Sequence, residues 1–323
     1  MTDILTMGEV LIDLTQTGMN EKDIPRFAAF PGGAPANVAV AASRLGASTG
    51  FIGKIGDDAF GRQLREALQQ DGVDTSFLYV TKDIPTTLAI VSVAESGERS
   101  FAFYRQPGAD TQLRTEEAIA FLQGNGGTLP KILHFGSLSL TSEPSRQAVL
   151  TAARGAKAKN IWISYDPNYR AALWRSEEDA IQWMKEPLEL VDILKVSDEE
   201  LVMLTGTSDP EKGSRILADY GISLVLVTMG SEGVFYRLGD LSGSIPAEPV
   251  EVCDTNGAGD TFLGAVLARL TALDMNNTKT PRIPNEEELR GILAFANKAA
   301  AKTCSRAGAI PAMPTLEEMG LQK

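Results

Sequence analysis

The chain has 323 residues, 43% of them hydrophobic and 22% charged, with a formal net charge of -12 at pH 7. This is ordinary globular composition, and its sign works against nucleic acid and anionic membranes, both of which select clustered Lys and Arg. One histidine and two cysteines weigh against His-based metal centres, Ser-His-Asp chemistry and a disulfide framework, leaving carboxylates, arginine and backbone amides as the chemical resources.

In chain order, Ile4–Gly8 reads as a first strand, and Leu11–Gly33 as an extended polar stretch. The helical pattern Ala36–Leu45 ends at Gly46, strand Gly50–Ile55 follows, and helix Phe60–Gln70 ends at Gly72. Thr86–Arg105 reads as a hairpin, TTLAIVSV and SFAFYR joined by AESGER, whose Gly97 suits a positive φ. Strands Ile132–Phe135, Ile161–Tyr165, Ile193–Val196 and Leu224–Thr228 come next, with helix Pro144–Lys159 after the first of them. A short apolar strand, VEVC, precedes a helix over TFLGAVLARL. The polar loop Asn276–Asn285 leads into helix Glu286–Cys304, and Pro311 and Pro314 end regular structure.

Strand–helix alternation of this kind predicts an α/β fold, a mostly parallel sheet with helices on both faces. One domain is expected over residues 1–323. The segments near 11–33 and 86–107 fall outside the alternation and are expected to form a small separate sheet, either a lid over a site or a surface decoration. Ligands in open parallel sheets bind beyond the carboxyl ends of the strands, so residues that follow strands carry the functional interest. No run reaches the roughly 20 apolar residues needed to span a bilayer. No basic region precedes ILTMGEVLIDL, so a secretory signal is not expected, and the two cysteines point to a reducing, cytoplasmic setting.

The most informative segment is Asp254-Thr255-Asn256-Gly257-Ala258-Gly259-Asp260. Gly257, Ala258 and Gly259 sit at a helix N-terminus with little side-chain bulk, where free amides and the helix dipole make an anion site. Such donors stabilise the charge that builds on a migrating phosphoryl group. Asp260, at the helix start, is placed to take a proton from an attacking hydroxyl. Taken alone, a Gly-rich turn before a helix is commonplace. The run is neither a P-loop nor a dinucleotide fingerprint, which argues against a Walker ATPase and a nicotinamide enzyme.

Here the sequence resembles the ribokinase family of carbohydrate kinases along nearly its whole length. DTNGAGD is similar to that family's C-terminal signature, and PGGAPANVAVAASRLG with GFIGKIGDDAFG to its N-terminal one. The resemblance implies a three-layer α/β/α fold with a small β-sheet lid, ATP as donor and Mg²⁺ as its partner ion. It implies Asp260 as catalytic base and the amides of Gly257, Ala258 and Gly259 as anion hole. Asn256 stands where many members carry Thr; a K⁺ site near Asp254, completed by carbonyls around Thr303, Arg306 and Gly308, is a further implication.

A polyol site needs a carboxylate and amide for paired hydroxyls, and glycines that let a ring approach the backbone. Asp13 and Asn37 meet the first need, and Gly32 and Gly33 the second; a solvated loop charge and a helix-start Asn are the plain alternatives. Within the family, GGAPANVA, Phe103-Tyr104-Arg105, HFGSLSL, SYDPNYR and KVSDEEL look most like fructokinase segments. Arg105 is then expected to reach over the sugar, with Phe103 or Tyr104 facing the pocket. Arg170 is a candidate for stabilising phosphate or substrate, against a structural salt bridge, and His134 is expected to be a satisfied core residue. On the donor side Lys195 and Glu200 are candidates, Glu200 organising Mg²⁺ through water or else favouring a helix N-terminus. Thr228, Gly230 and Gly233 resemble the family's nucleotide loop, Gly259 belongs to both halves, and Asn297 matches a position near adenine. The expected reaction is transfer of the ATP γ-phosphate to O6 of D-fructose, with 2-keto-3-deoxygluconate, tagatose or a nucleoside as other acceptors. A non-catalytic kinase-like binding protein is the reading from another class, and a homodimer is expected.

Overall fold

The structure is a computed structural model that describes residues 2–93, 99–123, 129–273 and 282–321. The first part of the chain runs β1 (Ile4–Met7), β2 (Leu11–Met19), β3 (Pro25–Gly32), α1 (Ala34–Arg44), β4 (Thr49–Gly56), α2 (Ala59–Gln70) and β5 (Asp74–Thr81). It continues through β6 (Leu88–Val93), β7 (Arg99–Tyr104), α3 (Thr115–Ala118), β8 (Ile132–Gly136), α4 (Ser145–Ala158), β9 (Trp162–Asp166) and α5 (Glu177–Lys185). The last part holds β10 (Ile193–Ser197), α6 (Asp198–Thr205), α7 (Pro210–Ala218), β11 (Leu224–Thr228), β12 (Val234–Leu238), β13 (Leu241–Ile245), α8 (Ala258–Ala272) and α9 (Glu286–Cys304).

Among the described residues, nine strands form one sheet in the order β13-β12-β11-β10-β9-β8-β1-β4-β5, parallel from β11 to β5. Covered on both faces, β4 and β8 are buried throughout. Alternate side chains feed opposite layers: Ile4 joins a core with α1, α8 and α9, while Leu5 and Met7 join one with α4, α6 and α7. The expected three-layer arrangement is present. The edge strand β5 and the antiparallel hairpin β12–β13 add to the strands expected from the sequence.

The two segments outside the alternation do form a separate sheet, in the order β3-β2-β6-β7. Its register sets Phe30, Asp13, Ala89 and Phe103 side by side across four strands. Laterally paired residues share a face, so Asp13 and both phenylalanines point the same way. The turn around Gly97 and most of the loop Asn276–Asn285 lie outside the described residues. The expected strand VEVC is absent. After β13 the chain is interrupted by Pro246 and Pro249, which lack ladder donors. Residues 246–252 are irregular, with Val252 60% exposed.

Candidate active site

The site gathers where the parallel strands end. Asp166, Ser197 and Thr228 are the last residues of β9, β10 and β11. Opposite them begins α8, capped by Gly257 in the left-handed region (φ 75°), where a Cβ would come within 3.0 Å of Ala309. Both the backbone angle and the space therefore require glycine. Thr261 donates to the Gly257 carbonyl (2.8 Å). The Gly259 and Asp260 amides thus precede the first intrahelical bond, at the positive end of a 15-residue helix.

Asp260 is buried, and both carboxylate oxygens are engaged. Oδ2 accepts from Asn37 Nδ2 at 2.8 Å and Oδ1 from Asn168 Nδ2 at 3.2 Å. Burial raises its pKa to about 6; Asn37 opposes the rise, Asp166 adds to it, and Lys195 and Arg170 oppose it. Asn37, on α1, keeps a buried Oδ1 with no hydrogen-bond partner among the described residues. Asp13 is likewise pushed up to about 6 by burial, with Arg170 lowering and Asp260 raising it. Gly32 makes room for it: a Cβ there would lie 2.5 Å from Asp13 Oδ2. At Gly33 (φ 107°) a Cβ would lie 2.5 Å from the Glu9 carbonyl. Phe103 is half-buried on the face that carries Asp13, whereas Tyr104 is 66% exposed on the other.

Arg105, expected to reach over the sugar, is committed to partners within the protein. It is buried, paired with Asp110 through Nε at 2.8 Å, and donates to Thr141 Oγ1 (2.8 Å) and the Leu138 carbonyl (2.9 Å). A desolvated Arg is held where its donors are matched, and Asp110 with these two acceptors fixes its guanidinium. Arg170 is the exposed cation instead, its Nη1 on the Tyr169 carbonyl (2.8 Å) and its charge felt by both Asp13 and Asp260.

Beneath the Gly257–Gly259 turn lies a buried ion pair, Lys195 Nζ to Asp166 Oδ2 at 2.8 Å. Burial works to discharge Lys195, but Asp166 and Glu200 outweigh it and hold its pKa above the ordinary value. Its Nζ is 3.2 Å from where a Gly259 Cβ would be. Glu200 forms a capping box with Ser197, taking the Ser197 amide on Oε2 (2.8 Å), while Oε1 takes the Tyr169 amide (2.7 Å). Its first role is thus to cap α6 and tie it to the loop after β9. Among the described residues, no group of three His, Cys, Asp or Glu is arranged to hold a metal.

On the other side of α8 opens a cleft of about 590 Å³ lined by Thr228, Gly230, Gly233, Gly259, Phe262 and Asn297, among others. Gly233 (φ 98°) leaves no room for a Cβ, which would meet the Ile245 carbonyl at 2.2 Å. Asn297 lies at the wall, its Nδ2 given to the Pro246 (2.8 Å) and Ile245 (3.3 Å) carbonyls, so it braces the segment after β13. Cys304 also lines the cleft, and Cys253 is exposed. Asp254 accepts from the Asn256 amide (3.0 Å) and the Gly308 amide (3.1 Å), closing the turn onto the chain after α9. His134 is a core residue as expected, 3.1 Å from Ser164 Oγ and kept neutral by burial, which lowers its pKa to about 3.

The structure therefore brings together Asp13, Gly32, Gly33, Asn37, Phe103, Arg170 and Asp260 on one side of the helix start, and Thr228–Gly233 with Asn297 on the other. Asp166 and Asn168 were not singled out in the sequence, although both lie in the quoted run SYDPNYR directly after a strand.

Residues 1–316 match the pfkB family of carbohydrate kinases. A probable fructokinase-6, chloroplastic, of Arabidopsis thaliana is 42% identical over 318 residues, covering 97% of this chain and 80% of that one. Among solved structures, a fructokinase from Xylella fastidiosa with bound ATP superposes with a TM-score of 0.86 at 33% identity, covering 99% of this chain and 97% of the other. A Vibrio cholerae fructokinase with fructose, ADP and calcium bound gives 0.85 at 30%, covering 99% and 98%. The chain belongs to the pfkB family of carbohydrate kinases, has the ribokinase-like fold, and is a phosphotransferase acting on a hydroxyl group.

Proposed function

We propose that the protein is a fructokinase, moving the γ-phosphoryl group of ATP to the 6-hydroxyl of D-fructose to give fructose 6-phosphate and ADP. The observation that carries the reading is the position of Asp260, a buried carboxylate between a hydroxyl-binding face and the cleft, at the positive end of α8. Asp13 and the unpartnered Asn37 Oδ1 bind sugar hydroxyls, and Gly32 and Gly33 let the ring approach the backbone. ATP lies in the cleft over Gly230 and Gly233, with Thr228 and Asn297 at its walls. O6 attacks the γ-phosphorus, its proton passes to the Asp260 carboxylate, and the bond to the bridging oxygen of ADP breaks. The Gly257, Ala258 and Gly259 amides, supported by Lys195 below and Arg170 from the sugar side, offset the charge on the migrating group.

Mg²⁺ accompanying ATP supplies charge neutralisation on the phosphates. Glu200 and Asp166 are already committed to backbone amides and Lys195, a donor set that fits an ion held mostly by phosphate and water. Asp254, with the backbone from Thr303 to Gly308 beside it, is the proposed place for K⁺. The small sheet, residues near 11–33 and 86–107 of a single domain, acts as a lid that excludes water while the sugar is bound. Its outer residues Met19, Phe27 and Tyr104 are exposed by 55%, 44% and 66%, and we place a dimer contact there. Sedimentation velocity should give twice the chain mass; a monomer at micromolar concentration would exclude that contact. The free thiols Cys253 and Cys304 support a reducing, cytoplasmic setting, and no described helix is long and apolar enough to cross a membrane.

A phosphorylation screen over fructose, tagatose, 2-keto-3-deoxygluconate and nucleosides tests the substrate. Fructose should show the highest kcat/KM, and a preference for any other acceptor overturns it. The pH profile follows from the raised carboxylates. Asp260 works as a base only when ionised, and its pKa and that of Asp13 are both about 6. Activity should therefore climb as pH rises through about 6 and level off above it; a flat profile between pH 5 and 8 contradicts the assignment.

A further inference from the structure

We propose that Asn168 is a positioning residue for the base, its side-chain amide fixing the Asp260 carboxylate so that one oxygen is presented to the acceptor hydroxyl. This rests on the reading of Asp260 as the base. Asn168 Nδ2 reaches Oδ1 of Asp260 at 3.2 Å, while Asn37 Nδ2 takes Oδ2 at 2.8 Å, so the carboxylate is gripped from two elements. Asn37 belongs to the sugar face and exchanges contacts with the substrate in the proposed reaction. Asn168 lies beyond it, in the loop after β9.

The loop is built to aim that amide. Asn168 sits in the left-handed region (φ 48°), a conformation that Asn tolerates better than most residues and that few side chains adopt freely. Each neighbour is tied down. Asp166 accepts the Asn168 amide at 3.2 Å and holds Lys195; the Pro167 carbonyl accepts the Ser137 amide at 3.1 Å; the Tyr169 amide is given to Glu200 at 2.7 Å. β10, α6 and the residue after β8 thus all brace one turn whose side chain meets Asp260. Strained conformations held this firmly cluster at functional sites.

The charged groups facing Asp260 are Asp166 from β9, Lys195 from β10, Arg170 from the loop after β9 and Asp13 from the small sheet. Against that background, a donated hydrogen bond favours the ionised carboxylate and keeps it a usable base near neutrality. Removing it must raise the proton affinity of Asp260 and move the acidic limb of the pH profile upward.

Asn168→Gly keeps the left-handed backbone and removes the amide. It should lower kcat roughly 10- to 100-fold, the loss expected for one hydrogen bond to a charged group, with little change in KM for fructose. The acidic limb of kcat/KM should move up by about one pH unit. Asn168→Asp, nearly isosteric and also tolerant of positive φ, sets a second carboxylate against the base and should move the limb further. Either variant, folded by its melting curve and binding fructose normally, overturns the proposal if its acidic limb coincides with that of the parent. If one does not fold, the other decides. Asp260→Asn run alongside separates the two readings: turnover surviving in it removes the base assignment itself, whereas an inactive Asp260→Asn beside an unmoved Asn168→Gly profile removes only the role of Asn168.

Discussion

Asp260→Asn should lower kcat by roughly 10²- to 10⁴-fold, the range for losing a general base, while fructose still binds. The expectation follows from where the carboxylate lies. It is buried, held by Asn37 and Asn168, and it stands at the first turn of α8 beside the amides that would receive the phosphoryl group. Asn keeps the size and one acceptor but cannot take the hydroxyl proton, so the effect belongs in kcat rather than in sugar affinity. Initial rates paired with calorimetric titration of fructose make the separation. Turnover within tenfold of the parent would remove Asp260 from the chemistry, and a parent protein that binds sugar and ATP without turnover would favour a binding protein.

Lys195→Met should be the most damaging change to stability, at about 3–5 kcal/mol, the figure for breaking a buried ion pair by deleting one partner. The Lys195 and Asp166 side chains are 8% and 3% exposed, so the variant leaves a carboxylate in a dry interior with its cation gone. Met nearly matches the volume, which isolates the charge from packing. The denaturant midpoint should fall with little change in slope. Lys195→Met combined with Asp166→Leu should recover much of the loss, since replacing both partners by apolar groups is commonly tolerated. A single variant as stable as the parent would show the pair to be solvated or dispensable. Activity should fall as well, because the ammonium lies under the Gly259 turn.

Much of the fold was legible because a parallel sheet covered on both faces writes itself as short apolar runs between helical patterns. The small sheet was legible for the opposite reason: Leu11–Gly33 and Thr86–Arg105 break the rhythm. What escaped was structure whose pattern is blurred by exposure. In β5, an edge strand, alternation is diluted by polar residues on both faces. The hairpin β12–β13 carries a local signal in Gly239-Asp240, with Gly239 at φ 58°. VEVC misled because apolar residues here line a cleft instead of a ladder. In the site, Asp260, Asp13, Asn37 and the glycines stood out through local chemistry. The pairing of Arg105 with Asp110 does not follow from its place on a hairpin, since it forms only once the chain is folded. Asn168 was missed because its partner lies 92 residues away, and no local pattern reports a contact of that kind.

The carboxylate at position 260 takes one partner from position 37 and another from position 168. A chain leaving the ribosome thus carries the proposed sugar-side residues Asp13 and Asn37 long before it carries the proposed base. No N-terminal fragment ending before α8 should consume ATP, even one able to recognise sugar. Activity should appear during synthesis as a single late event, when α8 docks beside α1, and translation arrested short of that point should yield binding without turnover.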